Sequence, residues 1–169
     1  MKEENSNQVR YDICKAIEGY SPITLSSLLE RTLCSTEQTI AVIKPDGFNH
    51  ATAIKSILTK QYDFVIVNSK VRTLEKGTVE RWYHDKLNQS YFPSLQRYLT
   101  RGPVEILLLE RVDAIHGLRS LVGPTDPERA RQLSPHSIRA LFGTNVQENA
   151  VHASDSDGAV LLEKSLLLD

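Results

Sequence analysis

Residues 149–156 combine a histidine with hydroxyl and carboxyl side chains. The segment reads Asn-Ala-Val-His-Ala-Ser-Asp-Ser, so that His152 is followed closely by Ser154 and Asp155. A neutral imidazole is a nucleophile at pH 7 without a separate base, because a free imidazole titrates near pH 6.5. Two other interpretations stay open here. His152 could be a hydrogen-bonded structural residue, or part of a hydrolase triad, which the short spacing disfavours because triad members usually come from separate elements.

A second group of residues has the composition of a phosphate clamp. Its cations stand beside turns rich in glycine and proline, rather than in salt-bridged rows along a helix. Arginine suits this task because its planar fork grips phosphate oxygens in pairs and keeps its charge. Each cation taken alone is typical of a surface residue with a solvated head. The group consists of Lys44, Arg119 and Arg139, with neutral hydrogen-bonding groups on Tyr83, Thr125 and Asn149.

The glycines and histidines exclude several common site types. The eight glycines form neither a G-x-G-x-x-G dinucleotide fingerprint nor a G-x-x-x-x-G-K phosphate loop. The sequence also lacks C-x-x-C and H-E-x-x-H, and its five histidines are too scattered for a recognisable zinc pattern. A nucleotide would therefore need a different kind of site, and a protein-bound zinc is not expected.

Net charge and hydropathy exclude several classes of binding partner and indicate the cellular compartment. With 20 lysines and arginines against 21 acidic residues, the 169-residue chain has a net charge of −1 and no long-range field to attract nucleic acid or an anionic membrane. No apolar run approaches the roughly 18 residues that span a bilayer, and the polar first residues do not resemble a signal peptide. We expect a cytoplasmic protein with no membrane partner and no specific nucleic acid, in which Cys14 and Cys34 are free thiols.

Strands and helices alternate from Thr39 onward. The predicted strands are short apolar runs, and the predicted helices have apolar residues three and four positions apart. This alternation predicts an α+β fold of helices on one small sheet, in a βαββαβ-like order. The strands are predicted at 39–43, 64–67, 104–109 and 149–151, the helices at 53–58, 79–87, 114–121 and 155–163, and a loop rich in proline and arginine at 123–139.

Residues 1–38 differ from residues 39–169 and are predicted to form a helical N-terminal extension of two amphipathic helices. Each helix is too short to be stable alone. We expect both to pack on their own domain, with a different protein as the alternative partner. The apolar faces are Val9, Ile13, Ala16, Ile17 and Tyr20 in the first helix, and Leu25, Leu28, Leu29 and Leu33 in the second.

Six blocks of sequence, in order, resemble those of a nucleoside diphosphate kinase. The blocks lie at 39–47, 91–93, 101–103, 121–127, 137–143 and 149–156. The resemblance extends from Thr39 through Glu163 and implies a ferredoxin-like α/β sandwich with a four-stranded antiparallel sheet. It also implies transfer of the γ-phosphate of a nucleoside triphosphate, typically ATP, to a nucleoside diphosphate. The reaction would be ping-pong, through a phosphohistidine, with Mg²⁺ as cofactor.

The same resemblance assigns catalytic roles. His152 matches the phosphorylated nucleophile, Glu163 the carboxylate that orients the imidazole, and Ser154 the hydroxyl that supports this pair. Mg²⁺ bridges the substrate phosphates in the family, so no direct protein ligand is expected, and Asp155 would contact the ion through water.

The nucleotide-binding positions of the family are also filled. Tyr91 matches an aromatic residue that stacks on the base, with Val146 on the opposite side, which implies broad base tolerance because stacking reads no base edge. The phosphate-contacting positions are Lys44, Tyr83, Arg119, Thr125 and Arg139, and Lys44 and Asn149 match the positions that hold the ribose hydroxyls.

Four departures from the family pattern bear on activity and assembly. Ala153 replaces a common glycine and could crowd the phosphohistidine or point away from it. The segment 127–138 is three residues longer than usual, as in a divergent branch with members in cilia and flagella. The loop after Gly47 lacks the usual Arg-Gly, and the chain ends at Asp169 without the longer tail of larger members. Because of the last two departures we do not assume a hexamer; we expect a homo-oligomer, a dimer or larger, for which a dimer through the sheet edge or a helix is the simplest symmetric form.

The departures also support an alternative function. A catalytically weak nucleotide-binding or scaffolding member could use the fold and residues 1–38 within a ciliary or microtubule-associated assembly. Retention of every charged clamp residue argues against this alternative, because a scaffold needs no nucleophile beside three cations.

Overall fold

The structure is a computed structural model that describes residues 2–17 and 34–169. Within these ranges no helix combines the length and the apolar character that crossing a membrane requires. The strands are β1 (Thr36–Ile43), β2 (Val65–Thr73), β3 (Pro103–Val112) and β4 (Val151–Ala153). The α-helices are α1 (Lys2–Ile17), α2 (Ala51–Ser56), α3 (Lys76–Trp82), α4 (Phe92–Leu99), α5 (Ala114–Val122), α6 (Pro127–Leu133), α7 (Ile138–Phe142) and α8 (Asp157–Glu163).

The four strands form one antiparallel sheet in the order β2-β3-β1-β4. β1 lies in the centre and pairs with β3 along its whole length and with β4 at its end, where Val42 faces His152. Helices cover both faces of the sheet. The expected ferredoxin-like α/β sandwich is therefore confirmed.

Alternation of side chains along the strands divides the core into two clusters. On one face, Ile40 and Val42 pack with residues of α3, α4 and α8, including Leu99; this is the α4 cluster. On the other face, Ala41 and Ile43 pack with residues of α2, α5 and α7, including Leu118; this is the α5 cluster. Because neighbouring residues of a strand point to opposite faces, each position near the end of β1 or β4 is assigned to one face only.

Several element boundaries differ from the prediction. β1, β2 and β3 are longer than predicted, because their outer ends carry polar residues that do not continue the apolar runs, and β4 lies at Val151–Ala153 rather than at 149–151 because it pairs with Ala41–Ile43 of β1. The predicted loop at 123–139 contains α6, which the sequence analysis missed. This helix begins with proline and is capped by Asp126, whose carboxylate accepts the Glu128 N–H at 3.0 Å. The sequence did not predict α4 and α7 either. The predicted helix at 79–87 is α-helical only as far as Trp82.

The first predicted leader helix is present as α1, whereas the second lies outside the described residues. α1 packs on its own domain, as expected, but the predicted contact face is wrong. The Tyr11 hydroxyl donates to Asp63 at 2.7 Å, and the Arg111 guanidinium lies 4.1 Å from the Tyr11 ring centre. Val9 and Ile13 of the predicted face are each 49% exposed. The buried Arg111 contributes a cation–π contact, which favours the face that carries Tyr11.

The prediction that both cysteines are free is also wrong. Cys14 of α1 and Cys34, just before β1, form a disulfide with a Cα–Cα distance of 5.4 Å. The prediction failed because it rested on the expected compartment alone, whereas docking of α1 brings Cys14 beside the start of β1. The disulfide thus links α1 to the residues that lead into β1.

Candidate active site

Strand β4 and helix α8 position the pair of His152 and Glu163. His152 lies on β4, and Glu163 ends α8 with only 3% of its surface exposed. The distance from His152 Nε2 to Glu163 Oε1 is 2.6 Å. An ionised carboxylate only accepts hydrogen bonds, so Nε2 carries the proton and Nδ1 keeps the lone pair.

Ser154 holds the second oxygen of the same carboxylate. Its buried hydroxyl donates to Glu163 Oε2 and accepts the backbone N–H of Ile40 at 3.3 Å. The backbone of β1 therefore fixes Ser154, and Ser154 fixes Glu163. The three predicted catalytic residues lie together as one hydrogen-bonded group.

Trp82 is a further member of this group that the sequence analysis did not identify. Its indole N–H donates to Glu163 Oε1 at 3.1 Å, and its ring meets the His152 ring edge-on, with centres 4.9 Å apart. In the sequence Trp82 is one more apolar residue on a helix, 70 positions before His152. No signal in the sequence distinguished it from an ordinary core residue.

Lys44 and Arg139 form a cationic side to the site. The Lys44 ammonium donates to Asn149 Oδ1 at 2.7 Å, and burial, with a smaller contribution from Arg139, lowers the pKa of Lys44 to about 8. Arg139 is held by the carbonyls of Gly123 and Val151, and burial lowers its pKa to about 10. Two positive charges close together, one on the buried Lys44 and one on the half-buried Arg139, favour the binding of an anion.

Tyr83 and Arg119 lie within electrostatic range of these groups. Burial and the negative charge of Glu163 raise the pKa of the Tyr83 phenol, whereas Arg139 acts in the opposite direction. Arg119 is exposed in the last turn of α5 and lowers the pKa of Arg139. The structure therefore brings the clamp cations and Tyr83 around one region beside Glu163.

Asn149 connects the loops that carry the remaining predicted residues. Its amide Nδ2 donates to the carbonyls of Thr125 and Val146, at 2.8 and 2.9 Å, while its oxygen accepts from Lys44. The side chains of Tyr91 and Val146 are 49% and 59% exposed. They lie at the surface, on the segments that precede α4 and Asn149, and no contact between them defines a base site by itself.

A strained turn separates Asn149 from His152. Ala150 has a φ of 68°, its N–H donates to Asp46 Oδ2 at 2.9 Å, and its carbonyl accepts the Lys44 N–H at 2.8 Å. A Cβ at Gly47 would lie 2.6 Å from the Ala150 carbonyl oxygen, so only glycine fits there. Left-handed backbone at a non-glycine residue is costly and is kept where the surroundings enforce it, as they do here.

The methyl group of Ala153 points away from the imidazole. His152 pairs with Val42 on the α4-cluster face, whereas Ala153 pairs with Ala41 and packs against the α5 cluster on the other face. Of the two alternatives left open for this residue, the structure favours the one without crowding.

The side chains near His152 fit a cation that arrives with its own ligands rather than a metal cage. Among residues 2–17 and 34–169 there is no group of three or more histidine, cysteine or acidic side chains that could hold a metal ion. Asp155 is exposed and accepts a hydrogen bond from the Ser156 hydroxyl at 2.9 Å. One exposed carboxylate is enough to contact a hydrated Mg²⁺ whose other ligands are phosphate oxygens.

Comparison with known proteins agrees with this geometry. Residues 37–169 match the family model described as nucleoside diphosphate kinase. The chain is 44% identical over 117 residues to a probable nucleoside diphosphate kinase 5 of Arabidopsis thaliana, covering 68% of this chain and 81% of the relative. It is 36% identical over 121 residues to a thioredoxin domain-containing protein 3 homolog of Ciona intestinalis, covering 72% of this chain but only 18% of that protein.

A solved structure shows the same arrangement of elements. The crystal structure of the Aquifex aeolicus nucleoside diphosphate kinase superposes with a TM-score of 0.73 at 34% sequence identity, covering 80% of this chain and 96% of that one.

Proposed function

The chain belongs to the nucleoside diphosphate kinase family, and from that premise we propose that it transfers the γ-phosphate of a nucleoside triphosphate to a nucleoside diphosphate by way of His152. The observation that carries the proposal is the contact of His152 Nε2 with the buried Glu163, which leaves the Nδ1 lone pair available as the nucleophile on a strand whose Val151 carbonyl holds Arg139. Phosphate transfer to nucleotides is the activity that the family supports in general.

The reaction divides into two half-reactions at one nitrogen. The Nδ1 lone pair attacks the γ-phosphorus, an N–P bond forms, and the bond from phosphorus to the bridging oxygen breaks. The nucleoside diphosphate leaves with that electron pair, and Glu163 stabilises the positive charge on the ring through the Nε2 proton. A terminal oxygen of a second diphosphate then attacks the phosphohistidine, the N–P bond breaks, and neutral imidazole returns. Such a sequence is ping-pong.

Positioning and charge supply most of the catalysis in phosphoryl transfer. Lys44, Arg119 and Arg139 would neutralise the phosphate oxygens, and the Tyr83 and Thr125 hydroxyls would orient them. Asn149 holds Lys44 and would share the ribose hydroxyls with it. Tyr91 and Val146 would enclose the base, and their exposure suits a site open to any base.

We propose Mg²⁺ as the cofactor, held by the substrate phosphates and by Asp155 through water. When bound, it neutralises charge on the phosphate oxygens. The protein residues supply orientation and the nucleophile.

The proposal is tested by labelling with γ-labelled ATP and Mg²⁺. The wild type should acquire an acid-labile, base-stable label and pass it to a second nucleoside diphosphate, and His152→Ala should lose both. His136→Ala, at an exposed histidine outside the site, is the matched control and should keep both. A wild type that takes no label contradicts the proposal.

One observation favours a second candidate, a catalytically weak member that binds nucleotide within a protein assembly. α1 exposes Val9 and Ile13 rather than burying them, which leaves an apolar stripe for a partner protein. Nucleotide binding without label or turnover in the same assay would favour this candidate.

We place the protein in the cytoplasm, with the cilium or flagellum as the alternative. Cytosolic thiols are kept reduced, whereas the structure contains a disulfide between Cys14 and Cys34. In the cytoplasm we therefore expect these two cysteines to be reduced, and in an oxidising compartment we expect them to be bonded. The redox state of Cys14 and Cys34 in cells discriminates between these locations and an oxidising compartment.

A further inference from the structure

Glu163 accepts hydrogen bonds from three different side chains. His152 Nε2 lies 2.6 Å and Trp82 Nε1 3.1 Å from Oε1, and the Ser154 hydroxyl contacts Oε2. Glu163 and Trp82 are 3% and 6% exposed. Neither the sequence pattern nor the comparisons assign a role to Trp82.

A buried carboxylate needs compensation for the water that it has lost. That compensation comes from a cation or from neutral donors. If the imidazole were the only partner, the carboxylate would favour a ring with two protons. A ring with two protons has no lone pair and cannot attack phosphorus. The neutral donors therefore bear directly on whether His152 stays a nucleophile.

Trp82 is suited to this task because an indole N–H is a donor only and does not titrate. It presents a proton to Oε1 at every pH, whatever the state of the imidazole. Its ring also meets the His152 ring edge-on at an interplanar angle of 83°, which restrains rotation of the imidazole. One side chain thus holds both members of the pair.

The other charged groups near the pair do not replace this donor. Bound phosphates would neutralise the clamp cations at the moment when His152 must attack. The Trp82 and Ser154 donors persist with nucleotide bound. The titratable and charged groups around the pair include Lys44 just after β1, Tyr83 and Lys86 after α3, Arg119 of α5, Arg139 of α7 and Asp155 after β4, and the helices packed around the pair also carry Lys76, Glu80 and Arg81 of α3, Arg97 of α4 and Asp157 of α8.

We propose that Trp82 is a positioning residue that holds Glu163 with a neutral donor, so that the carboxylate orients His152 without drawing a second proton onto its ring. The inference rests on the proposed function, since it concerns how His152 stays a nucleophile during phosphate transfer. It assigns Trp82 a role in the rate and its pH dependence rather than in nucleotide binding.

The first test is the pH dependence of transfer in Trp82→Phe, which keeps an aromatic ring but removes the N–H. The acid limb of kcat/KM should move up by about one pH unit, so that activity falls about tenfold below the limb and stays within about twofold above it. KM for nucleotide should change less than about twofold, because phenylalanine keeps a ring against Tyr83. A merely structural role would lower the rate equally at all pH values, and that result overturns the inference.

Tyr62→Phe is the matched control. Tyr62 is a partly buried aromatic residue that packs against the α5 cluster, away from Glu163. Its profile should superpose on that of the wild type. Replacing Trp82 by a sulfur-for-nitrogen tryptophan isostere, which keeps the shape and lacks the donor, gives the same test if Trp82→Phe fails to fold.

The second test does not depend on turnover. Trp82 is the only tryptophan among the 169 residues, so that one indole ¹⁵N–H signal reports on it alone. The signal should shift in Glu163→Gln and should follow the titration of His152 in the wild type. An indole signal that ignores both changes overturns the inference. A signal that responds in a wild type without turnover supports the linkage and overturns the proposed function instead.

Discussion

Lys44 shows how burial adjusts a single charged group for binding. Lys44 is 6% exposed just after β1, and its ammonium lies beside Asn149 and within electrostatic range of Arg139. Burial and the neighbouring cation lower its pKa to about 8, so that a substantial fraction of the side chain is neutral in mildly alkaline solution. A bound phosphate acts in the opposite direction, because an opposite charge favours the protonated amine. If Lys44 contacts the phosphates as proposed, it would couple nucleotide binding to pH.

The coupling predicts proton uptake. At pH 8.5 nucleotide binding should take up part of one proton, and affinity should fall as pH rises through about 8. Calorimetric titrations in two buffers with different ionisation enthalpies measure the uptake. Lys44→Met should abolish it, whereas Lys86→Met, at an exposed lysine, should not. Equal heats in the two buffers for the wild type would contradict the prediction.

At the scale of elements, α1 packs near the start of β1, whereas His152 lies beside the end of β1. It contacts Asp63 and Arg111, and Arg111 pairs with Glu37 at the opposite end of β1 from Lys44. The disulfide from Cys14 to Cys34 adds a covalent link at the same end. The contacts described for Tyr11 and Cys14 of α1 therefore hold it at a distance from His152.

This separation predicts that reduction of the disulfide lowers stability but not activity. A closed loop of this size stabilises by up to about 3 kcal/mol in the chain-entropy model. Cys14→Ser should lower the unfolding midpoint in urea and reduce hydrogen-exchange protection of α1, while kcat stays within about twofold. The wild type in reductant should behave like the variant. A large loss of kcat would show that α1 acts on the site.

At the scale of the whole molecule, the edge strand β2 is the surface on which we expect a second copy to bind. Among residues 2–17 and 34–169, β2 has a neighbouring strand on one side only, and its valines Val65, Val67 and Val71 are 61%, 48% and 55% exposed. Exposed apolar residues on an edge strand with unpaired backbone groups favour pairing with another chain. If two copies paired through β2 about a two-fold axis, the backbone groups at the β2 edge of each copy would be hydrogen-bonded.

We accordingly predict a homodimer that pairs through β2. Val65→Lys combined with Val71→Lys should convert it to a monomer, because two charges would then face each other across the two-fold axis. Light scattering measures the mass. Leu133→Lys, at a 62% exposed leucine of α6, should leave the dimer intact. A wild type that is monomeric, or a double variant that stays dimeric, rules out this interface.

The sequence by itself determined the sheet, its main helices and the residue types of the site. These follow from local information: apolar periodicity identifies strands and helices, and six ordered blocks carry the family resemblance from Thr39 to Glu163. The helices that were missed, such as α6, depend on capping by Asp126 and on contacts that periodicity does not record. The same limitation explains the wrong contact face of α1.

Only the tertiary structure decided which residues meet. Glu163 contacts His152 because β4 lies beside β1 and α8 returns over the same face, and Trp82 joins them from a helix 70 positions earlier in the chain. The direction of the Ala153 methyl follows from strand pairing, and the disulfide follows from docking of α1. Such contacts depend on the folding of distant segments onto one another, whereas the residue types that make them chemically competent are already present in the sequence.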